Sequence, residues 1–97
     1  MKIKQKTTDA NTIVLSGRLD NSTAPELEKE LDEILATASK LVLDMENLEY
    51  ISSAGLRVIL KTQKALAKKE GLKLIHVPDT VREVFDITGF TEFLTVE

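Results

Sequence analysis

The chain contains no cysteine and only one histidine, His76, among its 97 residues. Without cysteine there is no disulfide framework, no thiolate zinc site and no cysteine nucleophile. A lone histidine then argues against a zinc site of any ordinary kind, so no metal is expected. Three phenylalanines and one tyrosine leave little surface for stacking nucleic-acid bases. Glycine is equally scarce. No Gly-x-x-x-x-Gly-Lys-Ser/Thr loop is present, and only Gly17 precedes the first helical pattern, so neither a P-loop nor a dinucleotide fingerprint can be drawn. The acidic stretch from Glu26 to Glu33 follows helix periodicity rather than a Ca²⁺-loop pattern. No cofactor is called for. No apolar run approaches the roughly 18 residues of a membrane span. Met1-Lys2-Ile3-Lys4-Gln5-Lys6 alternates charge and apolarity instead of building a signal-peptide core, and a cytoplasmic location is expected. The net charge of −3, with acids and bases interspersed, argues against nucleic acid as the main partner.

What is present fits one α/β domain over residues 1–97. The composition, 42% hydrophobic and 30% charged, is that of an ordinary globular chain with one core. Lys2 to Thr7 has a period-2 pattern, Asp9-Ala10-Asn11 reads as a turn, and Thr12 to Gly17 reads as the hairpin partner strand. From Thr23 to Ala38 the period changes to that of a helix. Ala24, Leu27, Leu31, Ile34, Leu35 and Ala38 form its apolar stripe, and Thr23 with Glu26 suggests a capping box. Pro25 is tolerable because it falls in the first turn.

Lys40-Leu41-Val42-Leu43-Asp44 has the continuous apolarity of a buried strand. Met45 to Tyr50 reads as a loop with Leu48 and Tyr50 turned inward. A second helix carries Leu56, Ile59, Leu60, Gln63, Leu66 and Ala67 on one side, with Lys61, Lys64 and Lys68 on a solvated opposite side, and ends near Gly71. Leu72 to Val77 is the next strand, with His76 inside it. Thr80 with Glu83 suggests a further capping box for a short helix that uses Val81, Val84, Phe85 and Ile87 and closes at Gly89. Phe93 to Val96 forms a last strand. The order is β-β-α-β-α-β-α-β. Strands separated by helices favour right-handed crossovers, hence a mainly parallel sheet with a hairpin at its start.

Chemistry concentrates at Ser52-Ser53-Ala54-Gly55-Leu56, where a strand pattern gives way to a helix pattern. A serine at a helix start accepts a hydrogen bond from an orphan N–H, which Ser52 alone would satisfy, and Gly55 could merely allow close packing beneath the helix. A second reading uses the same physics. Phosphorylation adds about −1.5 to −2 charges, and the positive end of a helix holds such a group without a large rearrangement. A third reading makes Ser53 a nucleophile with His76 and Asp44 as partners. The Gly-x-Ser-x-Gly elbow is absent, however, since Ile51 lies two residues before Ser53.

Four segments in order resemble the STAS domain of bacterial anti-sigma factor antagonists, over essentially the whole chain. Leu15 to Asp20 with Asn21-Ser22-Thr23-Ala24 resembles the Gly-x-Leu/Ile-Asp signature before the family's first helix. Leu41 to Asp44 with Leu48, Tyr50 and Ile51 resembles its central strand. Ser52 to Leu56 is similar to its Asp-Ser-Ser/Thr/Ala-Gly-Leu phosphorylation motif, and Val84 to Phe90 resembles its final helix and turn. The resemblance implies partner switching. The unmodified antagonist binds an anti-sigma factor that is itself a serine kinase and frees the sigma factor; phosphorylation releases the antagonist, and a PP2C-type phosphatase restores it. By alignment the acceptor is Ser53, and the partner-binding surface is drawn from Asp20, Asn21, Ser22, Ser52, Ala54 and Gly55. Ser52 stands where the family usually has Asp, which removes a carboxylate and adds a second phosphorylatable hydroxyl. Ala54 occupies a position often held by Ser or Thr. An accessory STAS subunit of a lipid-transport ABC transporter and a small hydrolase using Ser53 are the alternatives.

Overall fold

The structure is a computed structural model, and it describes residues 2–5, 12–89 and 95–96. The elements follow the expected order: β1 (Lys2–Gln5), β2 (Thr12–Leu19), α1 (Ala24–Leu35), β3 (Lys40–Ile51), α2 (Ser53–Leu66), β4 (Gly71–Ile75), α3 (Asp79–Thr88) and β5 (Thr95–Val96). They build one five-stranded sheet in the spatial order β1-β2-β3-β4-β5. β1 pairs antiparallel with β2, and every later pairing is parallel. Of the expected hairpin, the turn at Asp9-Ala10-Asn11 lies outside the described residues, as do Phe90, Phe93 and Leu94.

The largest departure from the sequence pattern is β3. It runs unbroken to Ile51, so Met45 to Tyr50 is strand rather than loop. Its pairing with β2 shows why the pattern misleads. Val14 pairs with Asp44 but Ser16 with Asn47, and Gly17 pairs with Leu48 but Arg18 with Tyr50. Each slip inserts one extra residue into β3, the signature of a β-bulge. The buried residues beyond the first bulge are therefore Met45, Leu48 and Ile51, spaced by three rather than two. Tyr50 is turned outward, 41% exposed, with its ring under the Arg18 guanidinium at 4.3 Å.

The core is aliphatic apart from Phe85. Leu15 and Leu19 of β2, Leu41, Leu43 and Met45 of β3, and Leu74 of β4 are buried against Leu27 and Leu31 of α1, Ile59 and Leu66 of α2, and Phe85 of α3. The buried stripe of α2 is rotated from the expected one. Val58 and Thr62 are buried, Leu60 and Gln63 are half-buried, and Ala67 is exposed. Thr62 is tolerated inside because its hydroxyl donates to the Val58 carbonyl at 2.9 Å. Lys61 is not merely solvated, since it faces Glu28 and Asp32 of α1 at 3.8 and 3.5 Å.

Two expected capping boxes do not form. Thr23 Oγ1 donates to the Arg18 carbonyl and accepts from Asp20 N, each at 2.8 Å, which takes it away from the helix start. Pro78 is the N-cap of α3, so Thr80 already lies inside the helix. Gly89 does close α3, in the left-handed conformation at φ 77°, with its N–H directed at the Asp86 and Phe85 carbonyls. Ile87 is 78% exposed, because two residues past Phe85 on a helix means about 200° of rotation. Val81 and Phe85 carry the docking of α3. Phe85→Ala should therefore lower unfolding free energy by about 3–5 kcal/mol in urea titration, while Ile87→Ala should shift it by less than about 0.5 kcal/mol.

Candidate functional site

The site forms where the carboxyl ends of β2 and β3 meet. Leu19 pairs with Ile51 at the end of the β2–β3 ladder, and Ser52 N then donates to the Leu19 carbonyl at 2.8 Å. This bond ties the start of α2 to the residue before Asp20. Ser52 is extended (φ −99°, ψ 174°), and its hydroxyl accepts from Gly55 N at 3.3 Å as the helix cap. Ser53 is the first helical residue and is exposed. The cap and the exposed hydroxyl thus fall on adjacent serines.

Gly55 has a packing role. A Cβ there would lie 2.6 Å from Leu19 Cγ and 3.0 Å from Ile51 Cγ1, inside the distance at which neighbours must move. Leu19 is fully buried and has little room to yield. Gly55 is itself buried, so it presents no side chain to a partner; it lets α2 sit low on the sheet. Ala54 is half-buried in the cleft between α1 and α2, alongside Ala24, Arg57 and Val58.

Asp20 organises the neighbouring loop. Its Oδ1 accepts from Ser22 Oγ at 2.7 Å, Ser22 N at 3.0 Å and Thr23 N at 3.2 Å, and its carbonyl accepts from Ala24 N at 2.8 Å. These bonds satisfy the N–H groups that lead into α1, upstream of the Glu26 N–H that a Thr23 capping box would have engaged. The Ser22 hydroxyl in first place holds the Asp20 carboxyl below its ordinary 3.8, helped by the Ser22 and Thr23 N–H groups and opposed by partial desolvation. Arg18 stands 3.9 Å away. Arg18, Asp20, Ser22, Tyr50 and Ser52 line one shallow concavity; Asn21 borders both it and the α1–α2 cleft. Arg18 and Tyr50 lie within the sequence motifs, but the motifs give them no place on this surface and the sequence pattern turns Tyr50 inward. The bulged register that pairs them brings out an exposed Arg–aromatic pair, a common anchor at protein interfaces.

The third reading of Ser53 meets a geometric obstacle. His76 Nδ1 does contact Asp44 Oδ1 at 3.2 Å. Asp44, however, is seven residues of extended chain before Ile51, on the order of 20 Å from the helix start. A nucleophile must reach its base within a hydrogen bond, so Ser53, His76 and Asp44 do not form a triad. Nor does His76 continue β4: it follows the strand's last residue, at φ 53°.

A family profile described as "Mlab, STAS domain" matches residues 4–96. The chain belongs to the STAS domain family. Among STAS relatives, BtrV of Bordetella bronchiseptica, named as an anti-sigma factor antagonist, is 39% identical over 99 residues, covering 99% of this chain and 85% of its own. The anti-sigma-B factor antagonist of Staphylococcus aureus is 31% identical over 86 residues, covering 87% of this chain and 80% of its own. Among solved structures, the anti-sigma factor antagonist SpoIIAA shares this STAS fold in two states. Its unphosphorylated form superposes with TM-score 0.80 at 20% identity over 99% of this chain and 88% of that one. Its phosphorylated form gives 0.73 at 19% identity, over 99% and 91%. Among the described residues no helix is long and apolar enough to cross a membrane.

Two outcomes test this local account. Gly55→Ala should cost about 1–3 kcal/mol in urea titration, because the added methyl must displace Leu19. The depressed carboxyl of Asp20 favours the folded state above its unfolded value near 3.8, and that contribution is lost as pH falls through the lower folded value. Asp20→Asn should therefore be less stable than the parent at pH 7, with the gap closing below about pH 4 in paired denaturation curves.

Proposed function

We propose that this chain is an anti-sigma factor antagonist of the partner-switching kind, acting in the cytoplasm and switched off by phosphorylation of Ser53. The unmodified form binds an anti-sigma factor that is a serine kinase and thereby releases a sigma factor. Phosphate on Ser53 ends that complex, and a PP2C-type phosphatase returns the antagonist to use. The observation that carries this reading is the exposed Ser53 hydroxyl at the first position of α2, beside an Ser52 already engaged as the cap. The names of the similar proteins support it, as does the existence of SpoIIAA in unphosphorylated and phosphorylated forms.

The chemistry follows from the local electrostatics. Ser53 in its neutral state adds no charge to a surface already holding Asp20. A phosphate there adds about −1.5 to −2 charges one residue beyond Ser52, which shares a concavity with Asp20. The helix N–H groups stabilise the phosphate on the antagonist itself, while a partner surface fitted to a neutral hydroxyl is repelled. The partner-facing residues are Asp20, Asn21, Ser22, Ser52 and Ala54, with Arg18 and Tyr50 at the rim. Ser52 supplies a cap without the charge that an aspartate would bring, so nearly all of the switched charge comes from the modification.

An accessory STAS subunit would be a constitutive partner with no need of Ser53 chemistry, and the same experiment separates the two roles. With the anti-sigma kinase encoded nearest its gene, ATP should place one phosphate on Ser53, located by mass spectrometry. In calorimetric titration Ser53→Ala should bind that kinase within a few-fold of the parent and resist release by ATP. Ser53→Asp should bind at least about tenfold more weakly, a difference of about 1.4 kcal/mol. Equal affinity of the two variants, or phosphate on Ser52 alone, would overturn the assignment.

A further inference from the structure

Away from that site, the end of β4 brings three metal-ligating side chains of different kinds together. Asp44 of β3 is buried, whereas Glu46 and His76 are exposed, and one ligand atom from each lies within 4.8 Å of the others. We propose that Asp44, Glu46 and His76 form a binding site for a divalent transition-metal ion such as Zn²⁺, with one imidazole nitrogen, two carboxylate oxygens and at least one position left for water.

The fold makes this juxtaposition in two steps. Asp44 pairs with Ile75, the last residue of β4, so the residue that follows the strand, His76, is delivered beside it. His76 takes a left-handed conformation at φ 53°, which ends β4, and its Nδ1 comes to 3.2 Å from Asp44 Oδ1. The first bulge of β3 falls between Asp44 and Asn47. There the Glu46 N–H donates to Asp44 Oδ1 at 3.1 Å, fixing the carboxylate while the Glu46 side chain stays at the surface. Bulges commonly re-aim side chains in this way beside functional sites.

The spacing suits a metal. Two ligands at about 2.0–2.1 Å from a tetrahedral Zn²⁺ lie roughly 3.3–3.4 Å apart, close to the observed separation of the nitrogen and oxygen. An ion would replace the proton shared by Nδ1 and Oδ1, with the neutral imidazole carrying its proton on Nε2 instead. Rotation of the exposed Glu46 side chain closes the remaining distance. The donor set also selects the class of ion. Imidazole with carboxylates suits Zn²⁺ and its neighbours in the transition series, whereas Mg²⁺ prefers oxygen ligands and keeps its waters. Composition alone argued against this site, because one histidine looks insufficient when the carboxylates that complete the set are scattered along the sequence.

A bound ion would pin the β3 bulge to the turn that leads into α3. Its effect would fall on the docking of α3, remote from Ser53. The site can therefore be tested independently of switching.

The test titrates Zn²⁺ into the full untagged chain by calorimetry, with thermal unfolding and the His76 ring resonances followed in parallel. Saturable one-to-one binding, a raised unfolding midpoint and a shifted His76 ring signal are expected, with no such response to equal Mg²⁺. His76→Asn removes the nitrogen ligand and keeps a residue that tolerates a left-handed backbone, and Glu46→Gln leaves the buried Asp44 in place. Each variant should fold as the parent does and bind Zn²⁺ at least tenfold more weakly. The proposal is overturned if the parent shows no saturable binding. It is also overturned if His76→Asn binds as the parent does, which would put the ion on other surface carboxylates.

Discussion

The seating of α2 on the end of β2 governs the geometry of the candidate surface around Ser53. Two features enforce it within four residues. The Ser52 N–H continues the sheet's hydrogen bonding onto the Leu19 carbonyl, and Gly55 lacks the Cβ that would strike Leu19. With the helix held at this height, its first residue points to solvent and the chain leaving Leu19 enters the Asp20 loop directly alongside. A larger residue at Gly55 would lift or tilt the first turn and change the spacing of every group on that surface. The tight packing of the protein interior thus becomes precision at an exposed hydroxyl.

Rigidity here limits what a modification can do. The Asp20 loop is fastened by hydrogen bonds from Ser22, Thr23 and Ala24, and the α2 start by the Ser52 cap and the bond to Leu19. A phosphate at the first helical residue finds unsatisfied N–H groups nearby and has no need to unwind the helix to be accommodated. Its consequence is then a change of surface charge against a nearly fixed background. On the proposed function, such a change suits the release of a partner, because the free protein would lose little by carrying the phosphate while the complex would lose complementarity.

Much of the fold was legible because each element reports on its neighbours in the pattern. Leu41 to Asp44 could only be a buried strand, and the three- and four-residue spacing of Ala24, Leu27 and Leu31 could only be one face of a helix. The failures have a common cause: the competing influence came from another strand or loop. The two bulges of β3 are set by pairing with β2, so their three-residue spacing imitated a loop. Thr23 looked like a cap, but its hydroxyl is taken by Asp20 N and the Arg18 carbonyl, contacts with the preceding loop and strand that a sequence pattern does not show. His76 fitted a strand pattern, and only the three-dimensional turn at φ 53° separates it from β4. At the site, the Ser52 cap and the close packing at Gly55 were readable from residue type and position. Arg18 and Tyr50 were not, because their contact crosses between two strands at a register that a bulge had shifted.

That shifted register also shapes the candidate surface. Without the second bulge, Arg18 would pair opposite Glu49 rather than Tyr50, and residues one apart in a strand face opposite sides of the sheet. The extra residue therefore decides which β3 side chain shares a face with Arg18. It puts an aromatic ring under the guanidinium, 4.3 Å from its centre, where a carboxylate would otherwise have stood. A glutamate in that place would add a second negative charge to the surface that holds Asp20, and would compete with Asp20 for the Arg18 guanidinium. With Tyr50 there instead, Arg18 keeps its charge beside a largely apolar ring. The second bulge thus spares the concavity beside Ser52 a further carboxylate, so a phosphate on Ser53 would meet one acidic side chain there, Asp20, rather than two.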